Sequence, residues 1–538
     1  MPKRLIIILA CIVCFVLPLT GCSDTQAIIR YDVSRGTKNL DPQFATDPTA
    51  QLVIYNVFEG LVRSNPDGQV VPAAAESYTI SADEKTYTFI LRDNMHWRSG
   101  DKVTAYDFEF ALERLFSPIA QSPYALNYIS IKNASKVLEK KASVESLGIR
   151  AENEKTLVIT LEAPNAFFLE QLAHSSAMPC SRKSFHETKG RYGLRLNCLD
   201  VNGPFYVKYW DNNSYIGLRR NGNYYDKASV VTNGVNLYIG RETPETEDSP
   251  AVTAYDLLLK NQTDCAKVTY EQMIQLTEKG YTASEMRDTS WCLLYNMDES
   301  SELKEASVRE AFTKSIDRQS LNNEFFLGAA PSNRIVPPSV ILMGSRYIDS
   351  VPPPIYPPYN PQEASAAYFL GLEALNASQM KNIRFLVEDK VGVQWLAGCL
   401  QQMWQKELGV FVQIEILPSD DLVQRLKKGS YDIALTGLVP SNAQPADILS
   451  RFSTNSADNV THYQSQQFDT YLEQAVSSRK KDEIRRYYSY AETLLAQDLP
   501  VVPLWTQNSY RINGKDVSGI QYFPDDAQTY FKYAQRSK

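Results

Sequence analysis

Alternation of apolar and polar residues predicts strands at several places along the chain. Residues 85–92 and 156–161 alternate in the manner of half-buried strands. Residues 410–417 alternate around Val412, Ile414 and Ile416, and a shorter strand is predicted at residues 432–436.

Apolar residues at helical spacing predict helices between these strands, at residues 104–115, 307–316, 401–408 and 466–497. Thr104 with Asp107, and Ser307 with Glu310, have the spacing of N-terminal capping residues. Because strands alternate with helices, the predicted class is α/β. The proline-dense residues 351–361 are interpreted as a rigid connector rather than a polyproline ligand, and the acidic residues 240–250 as a solvated loop.

The first 22 residues have the pattern of an export signal. Lys3 and Arg4 precede an apolar run at residues 5–19, which is short for a spanning helix of about 20 residues. The sequence Leu-Thr-Gly-Cys that ends at Cys22 resembles the lipobox of bacterial lipoproteins. Residues 1–21 are therefore predicted to be cleaved and Cys22 to be lipidated. The protein would then lie in the periplasm or on the outer face of the cytoplasmic membrane. An uncleaved anchor is the alternative.

Composition restricts the class of function. The 538 residues include 43% apolar and 22% charged residues, as in a packed soluble protein of about two to four domains. A net charge of −7 without a basic block argues against nucleic-acid binding. The 32 tyrosines suggest either a recognition cleft or ordinary half-buried positions.

Catalytic, metal and cofactor motifs were not found in the sequence. The four histidines form no metal-ligand pattern, and there is no nucleophile elbow, phosphate loop or dinucleotide fingerprint. After Cys22 five cysteines remain, at Cys180, Cys198, Cys265, Cys292 and Cys399. Cys180 and Cys198 are close enough in sequence to pair, but nothing requires it. These observations favour binding over catalysis, with no cofactor and no metal.

Many short motifs in order resemble one family, the family 5 extracellular solute-binding proteins, which include the oligopeptide- and dipeptide-binding components of ABC importers. The motifs are Leu40-Asp41-Pro42, Phe58-Glu59-Gly60-Leu61, residues 86–108, Asn202-Gly203-Pro204-Phe205-Tyr206, Asn221-Gly222-Asn223-Tyr224-Tyr225-Asp226, Ser315-Ile316-Asp317-Arg318, Thr461-His462-Tyr463 and Pro500-Val501-Val502-Pro503.

The resemblance implies a periplasmic-binding-protein fold, with two large lobes, a hinged cleft and a smaller inserted domain. Matching motifs place domain I at 23–60, 183–290 and 506–538, domain II at 61–182 and domain III at 291–505. It also implies a monomer that captures short peptides and delivers them to ABC importer permease subunits. A secreted hydrolase of cell-wall peptides is a distant alternative.

One segment departs from the family pattern. Peptide binders of this family typically carry an aspartate in a Gly-Trp-Cys-Ala-Asp-like segment, which meets the amino group of the peptide. Here Gly437 is followed by Leu438, Val439 and Pro440, and Ser441-Asn442 stands where the aspartate is expected. The family disulfide is lost as well, because Val439 replaces the partner of Cys292, which is predicted to be a free thiol.

Two explanations of this loss remain open. Another carboxylate, such as Asp47, takes over the anchor, or the ligand differs, for example glutathione, another non-standard peptide or a non-peptide solute. Other residues are candidates for lining the cleft, or else for core packing and solvated surface: Trp291, Tyr295, Tyr124, Tyr128, Arg425 and Lys427.

Overall fold

The computed structural model describes residues 27–243, 250–321, 329–380, 382–440, 444–523 and 528–537. The predicted signal segment, Cys22, Ser441 and Asn442 lie outside these ranges, as does the middle of the predicted acidic loop.

The strands are, in chain order, β1 Ile29–Val33, β2 Val62–Ser64, β3 Val70–Pro72, β4 Ala75–Ile80, β5 Thr86–Leu91, β6 Ile149–Ala151, β7 Thr156–Thr160, β8 Phe205–Asp211, β9 Tyr215–Arg220, β10 Gly234–Ile239, β11 Cys265–Val268, β12 Thr282–Tyr295, β13 Ala329–Pro331, β14 Ile341–Leu342, β15 Ser345–Arg346, β16 Ile383–Glu388, β17 Val412–Leu417, β18 Ile433–Leu438, β19 Val501–Asn513, β20 Val517–Ser518 and β21 Gln535–Arg536.

The α-helices are α1 Pro48–Val57, α2 Ala105–Leu115, α3 Ala134–Leu138, α4 Phe168–Leu172, α5 Arg182–Glu187, α6 Ala254–Leu259, α7 Tyr270–Glu278, α8 Ala306–Lys314, α9 Tyr347–Ser350, α10 Pro361–Ala374, α11 Val391–Leu408, α12 Ser419–Lys427, α13 Pro445–Leu449, α14 Gln466–Ser477 and α15 Lys481–Asp498.

Most predicted elements are confirmed within a few residues. Helix α2 has Thr104 at its N-cap and Asp107 in the capping box, as predicted. Helix α8 does not have the predicted Ser307 cap. Its N-cap is Glu305, because the Glu305 carboxylate accepts hydrogen bonds from both the backbone N–H and the hydroxyl of Ser307. The helical stretch predicted at 466–497 is two helices, α14 and α15.

Two four-stranded sheets belong to the N-terminal half. The N-terminal sheet has the order β1-β10-β9-β8, and the inserted sheet has the order β4-β5-β7-β6. A single apolar core lies under both of them, since Ile29 and Val235 of the first belong to the same cluster as Phe89 and Leu157 of the second. These two sheets therefore pack as one body.

The large sheet has seven strands, in the order β11-β19-β12-β18-β16-β17 with β13 added on β19. Strand β16 pairs in parallel with both β17 and β18, and most of its residues are buried, as expected of a strand covered by helices on both faces. One face packs against α8, α10 and α11, and the other against α12, α14 and α15.

Two long antiparallel strands connect the lobes. Strands β12 and β19 pair from Thr282 opposite Asn513 to Leu294 opposite Val501. At one end β19 also pairs with β11, and at the other end β12 pairs with β18 in the large lobe. The chain therefore has the two-lobed α/β architecture predicted from its sequence.

Candidate functional site

The carboxyl ends of β16, β17 and β18 meet at one edge of the large sheet. The connecting strands leave the sheet at this same edge, because Ser290 of β12 lies opposite Leu438, the last residue of β18. Ligands of open α/β sheets bind where parallel strands end. This edge is therefore the candidate site, and we call it the cleft edge.

Trp291 lies at the cleft edge on β12. It pairs across the sheet with Gly437 and with Trp505, and its indole N–H donates to Oε1 of Gln507 at 2.7 Å. A Cβ at position 437 would lie 3.0 Å from Cγ2 of Thr289 and 3.5 Å from the Trp291 ring. Glycine at this position therefore lets β18 pass close to the Trp291 side chain.

The residues after Gly437 change from buried to exposed. The Leu438 side chain is buried in the core below the edge, whereas Val439 is 46% exposed. The Val439 carbonyl accepts a hydrogen bond from Nη2 of Arg451 at 2.7 Å. The chain thus leaves the sheet at Val439, two residues before the Ser441 position.

A carboxylate, a lysine and a serine also meet at the cleft edge. Glu388, the last residue of β16, is 9% exposed and accepts a hydrogen bond from the Ser419 hydroxyl at the start of α12. Nζ of Lys390 lies 2.9 Å from Oε1 of Glu388 and 5.8 Å from the centroid of a Trp291 ring. We call Glu388, Lys390 and Ser419 the edge cluster.

A cavity of about 460 Å³ opens between the inserted domain and the large lobe. Asn127 and Asn165 line it from one side, and Gln444 and Arg479 line it from the other. The cavity is thus lined by both the inserted domain and the large lobe.

Asp47 and Tyr124 lie together in the body formed by the N-terminal and inserted sheets, which we call the N-terminal body. The Asp47 side chain is the N-cap of α1, where Oδ1 accepts from the Ala50 N–H at 2.8 Å and Oδ2 accepts from the Thr37 hydroxyl at 2.7 Å. The Tyr124 hydroxyl donates to the Ala45 carbonyl at 2.6 Å and accepts from the Gln51 amide at 3.1 Å. Both carboxylate oxygens of Asp47 are therefore used inside the protein.

Tyr128 and Tyr295 are fully buried core residues. The Tyr128 hydroxyl donates to the Gln171 carbonyl at 2.9 Å, and the Tyr295 hydroxyl lies 3.3 Å from the Thr313 hydroxyl. The tyrosine-rich composition thus supplies core side chains at these positions, rather than ligand contacts.

The structure separates Arg425 and Lys427 from the cleft edge. Helix α12 starts beside Glu388 and runs back to the opposite edge, where Nη2 of Arg425 donates to Oε2 of Glu415 at 2.9 Å and to the Ser430 carbonyl at 3.2 Å. Lys427 is 3.6 Å from Asp458. Of the two interpretations of Arg425 and Lys427, lining the cleft or solvated surface, their position therefore favours the second.

The five cysteines after Cys22 are all free. This confirms the free thiol of Cys292 and excludes a disulfide between Cys180 and Cys198 in this structure. Burial raises the pKa of the Cys180 and Cys265 thiols to about 12 and raises that of Cys292 as well. Within the described ranges, no group of three or more His, Cys, Asp or Glu side chains is placed to hold a metal ion.

Comparison with known proteins identifies the family. Residues 69–459 match the bacterial extracellular solute-binding proteins, family 5, middle region. The chain belongs to this family. It is 26% identical over 507 residues to the oligopeptide-binding protein OppA of Bacillus subtilis, covering 92% of this chain and 90% of that protein. It is also 26% identical over 499 residues to YgiS of Escherichia coli, described as a probable deoxycholate-binding periplasmic protein, covering 92% and 91% of the two chains.

Solved structures agree with the fold of this solute-binding protein. The unliganded open form of the periplasmic murein tripeptide binding protein MppA matches with a TM-score of 0.71 and 23% identity, covering 95% of this chain and 97% of that chain. The family and the two-lobed fold predicted from the motifs are thus confirmed. Among the described helices, none combines the length and apolar character needed to cross a membrane.

The edge cluster of the solute-binding protein was not predicted from sequence. Glu388 and Lys390 follow the apolar run of β16, and this position at the end of a buried strand was the available signal. The proximity of Ser419 and Trp291 depends on how β16, β17 and β18 pair, which local patterns do not specify.

Proposed function

We propose that this solute-binding protein captures short peptides outside the cytoplasmic membrane and delivers them to the permease of an ABC importer. The observation that carries the proposal is the cleft edge beside two connecting strands, in a chain that matches oligopeptide-binding OppA along 92% of its length. An extended peptide has a backbone that pairs with exposed strand ends. The chain offers such an end at Val439, beside Trp291.

Capture would proceed by closure of the lobes about β12 and β19. A ligand that contacts both lobes stabilises the closed arrangement by its differential affinity for that state. In this proposal Tyr124 and the N-terminal body form one wall, and Gly437, Leu438 and Val439 form the other. The permease then recognises the closed, occupied monomer.

Three finer assignments belong to the same proposal. Cys22 carries the lipid, domain I comprises residues 23–60, 183–290 and 506–538, and domains II and III comprise 61–182 and 291–505. The shared apolar core of the N-terminal and inserted sheets supports treating domains I and II as one rigid body during closure. Lipidation is tested by Cys22→Ser, which should move the protein from the membrane fraction to the soluble fraction.

Native mass spectrometry tests the ligand. The purified chain is mixed with a library of tri- to pentapeptides, with glutathione and with deoxycholate. We expect peptide complexes of a monomer with 1:1 stoichiometry. Recovery of shortened peptides would instead support the hydrolase, and failure of every peptide to bind would overturn the proposed function.

A second candidate function is binding of glutathione or a non-peptide solute. It is favoured by the apolar, 46% exposed Val439 side chain at the strand end, and by the likeness to YgiS. An exposed apolar side chain at this position suits a ligand without an amino terminus there. Binding of deoxycholate or glutathione in place of the library would select this candidate.

A further inference from the structure

The Glu388 carboxylate combines burial with one unused oxygen. The residue is 9% exposed, and its Oε1 takes both the Ser419 hydroxyl and the Lys390 ammonium. Oε2 has no hydrogen-bond partner anywhere in the described ranges. A carboxylate largely withdrawn from water is costly unless a cation and hydrogen-bond donors compensate for the lost solvation.

Lys390, whose ammonium neutralises the Glu388 carboxylate, is held loosely. The Lys390 side chain is 58% exposed, and Glu388 is its one ion-pair partner in the part of the chain that the structure describes. Its Nζ is also 5.8 Å from a Trp291 ring centroid. Because an exposed lysine regains its hydration when it swings away, displacing it costs little, provided that another cation takes its place.

The position of the Lys390 ammonium therefore indicates which chemical group fits the space above Glu388. An alkylammonium sits there, between a carboxylate and the face of an indole, and both attract a cation. The position lies at the cleft edge, on the strand next to that of Gly437, since Val387, one residue before Glu388, pairs with Leu435, two residues before Gly437.

We propose that Glu388 binds the ammonium group of the solute, and that Lys390 occupies this position until the solute displaces it. The inference rests on the proposed function and names the residue that neutralises a primary ammonium in a chain with Ser441 at the usual anchor position. Ser419 holds the carboxylate in place, and Trp291 supplies the aromatic face.

The test uses tri- to pentapeptides without Lys, Arg or His, so that the α-amino group is the one cation of each peptide. An N-acetylated copy of the same library has none. Glu388→Gln keeps the shape and the Ser419 contact, and should weaken binding of the free library about tenfold or more. Binding of the acetylated library should be weak in the wild type and change little in the variant.

Two further variants separate the alternatives. Asp389→Asn removes a neighbouring carboxylate that contacts Gln394, and should change affinity by less than about twofold. Lys390→Met removes the competing cation and should tighten binding of the free library. Thermal unfolding of each variant checks that it is folded.

Several outcomes would overturn the assignment. Equal affinity of Glu388→Gln and wild type for the free library rejects Glu388 as the anchor while leaving the proposed function intact. Weaker binding by Lys390→Met means that Lys390 itself contacts the ligand. If the wild type binds neither library, the proposed function fails, and this inference fails with it.

Discussion

The indole N–H of Trp291 donates a hydrogen bond to Oε1 of Gln507 at 2.7 Å, and thereby joins β12 to β19 at the cleft edge. The two residues belong to the strands that connect the lobes. The bond fixes the Trp291 side chain where it borders Gly437 and Lys390. The edge of the site and the connection between lobes are thus built from the same pair of strands.

Replacing Gln507 should weaken this connection. Gln507→Leu removes the acceptor of a half-buried hydrogen bond, and we expect a loss of about 1 kcal/mol in the free energy of unfolding, measured by urea denaturation. Asn508→Leu is the matched control, because its amide contacts Glu285 at an exposed site. If the two variants lost equal amounts of unfolding free energy, a specific role for the hydrogen bond between Trp291 and Gln507 would be contradicted.

Asp47 should affect stability and not ligand binding. Asp47→Ala removes the N-cap of α1 and should cost about 1 kcal/mol, whereas Asp47→Asn keeps a capping oxygen and should cost less. Both variants should retain wild-type affinity for the peptide library, because the carboxylate is bonded to Ala50 and Thr37. If stable Asp47→Asn lost peptide binding, Asp47 would be the anchor after all.

The buried Glu492 should make stability depend on pH. Burial raises the pKa of its carboxyl to about 7, outweighing the opposing effects of Arg334 at 3.2 Å and the Tyr347 hydroxyl at 2.8 Å. Between about pH 4.5 and 7 the native state holds a proton that the unfolded chain has released. The contribution of Glu492 to the free energy of unfolding therefore falls as pH rises, by roughly 3 kcal/mol in total.

Urea denaturation at several pH values measures this effect. Glu492→Gln should give a curve of stability against pH that declines less between pH 4.5 and 7 than the wild-type curve. Glu278→Gln, on an exposed helix end, removes the same charge and should leave the decline unchanged. A wild-type decline that survives in Glu492→Gln would show that another group is responsible.

The number of thiols that react with Ellman's reagent should differ between the native and the unfolded protein. In a form that begins after Cys22, Ellman's reagent should detect five thiols in guanidinium and at most one in the native protein. Cys399 is the half-buried one, whereas Cys180, Cys198, Cys265 and Cys292 are buried. Cys399→Ser should abolish the native reaction. Three thiols in guanidinium without reductant would indicate a disulfide.

Local patterns predicted the elements well where the pattern was regular. The alternation at β5 and β7 and the cap at Thr104 follow from side chains a few residues apart. The Ser307 cap failed because the helix begins two residues earlier, after Glu305, whose carboxylate accepts from the Ser307 N–H. The start of the helix is decided by side-chain geometry, and the residue types alone do not rank the two caps.

The sequence by itself determined the family, the two-lobed architecture and the free thiol of Cys292, because ordered motifs and the Val439 replacement are properties of the chain. Only the tertiary structure decided which candidate residues meet. The antiparallel return of α12 carries Arg425 away from the cleft edge, and the pairing of β16 with β18 brings Glu388 toward Gly437. The physical reason is that strand order and helix direction join residues distant in the chain, so neighbouring residue types do not reveal these contacts.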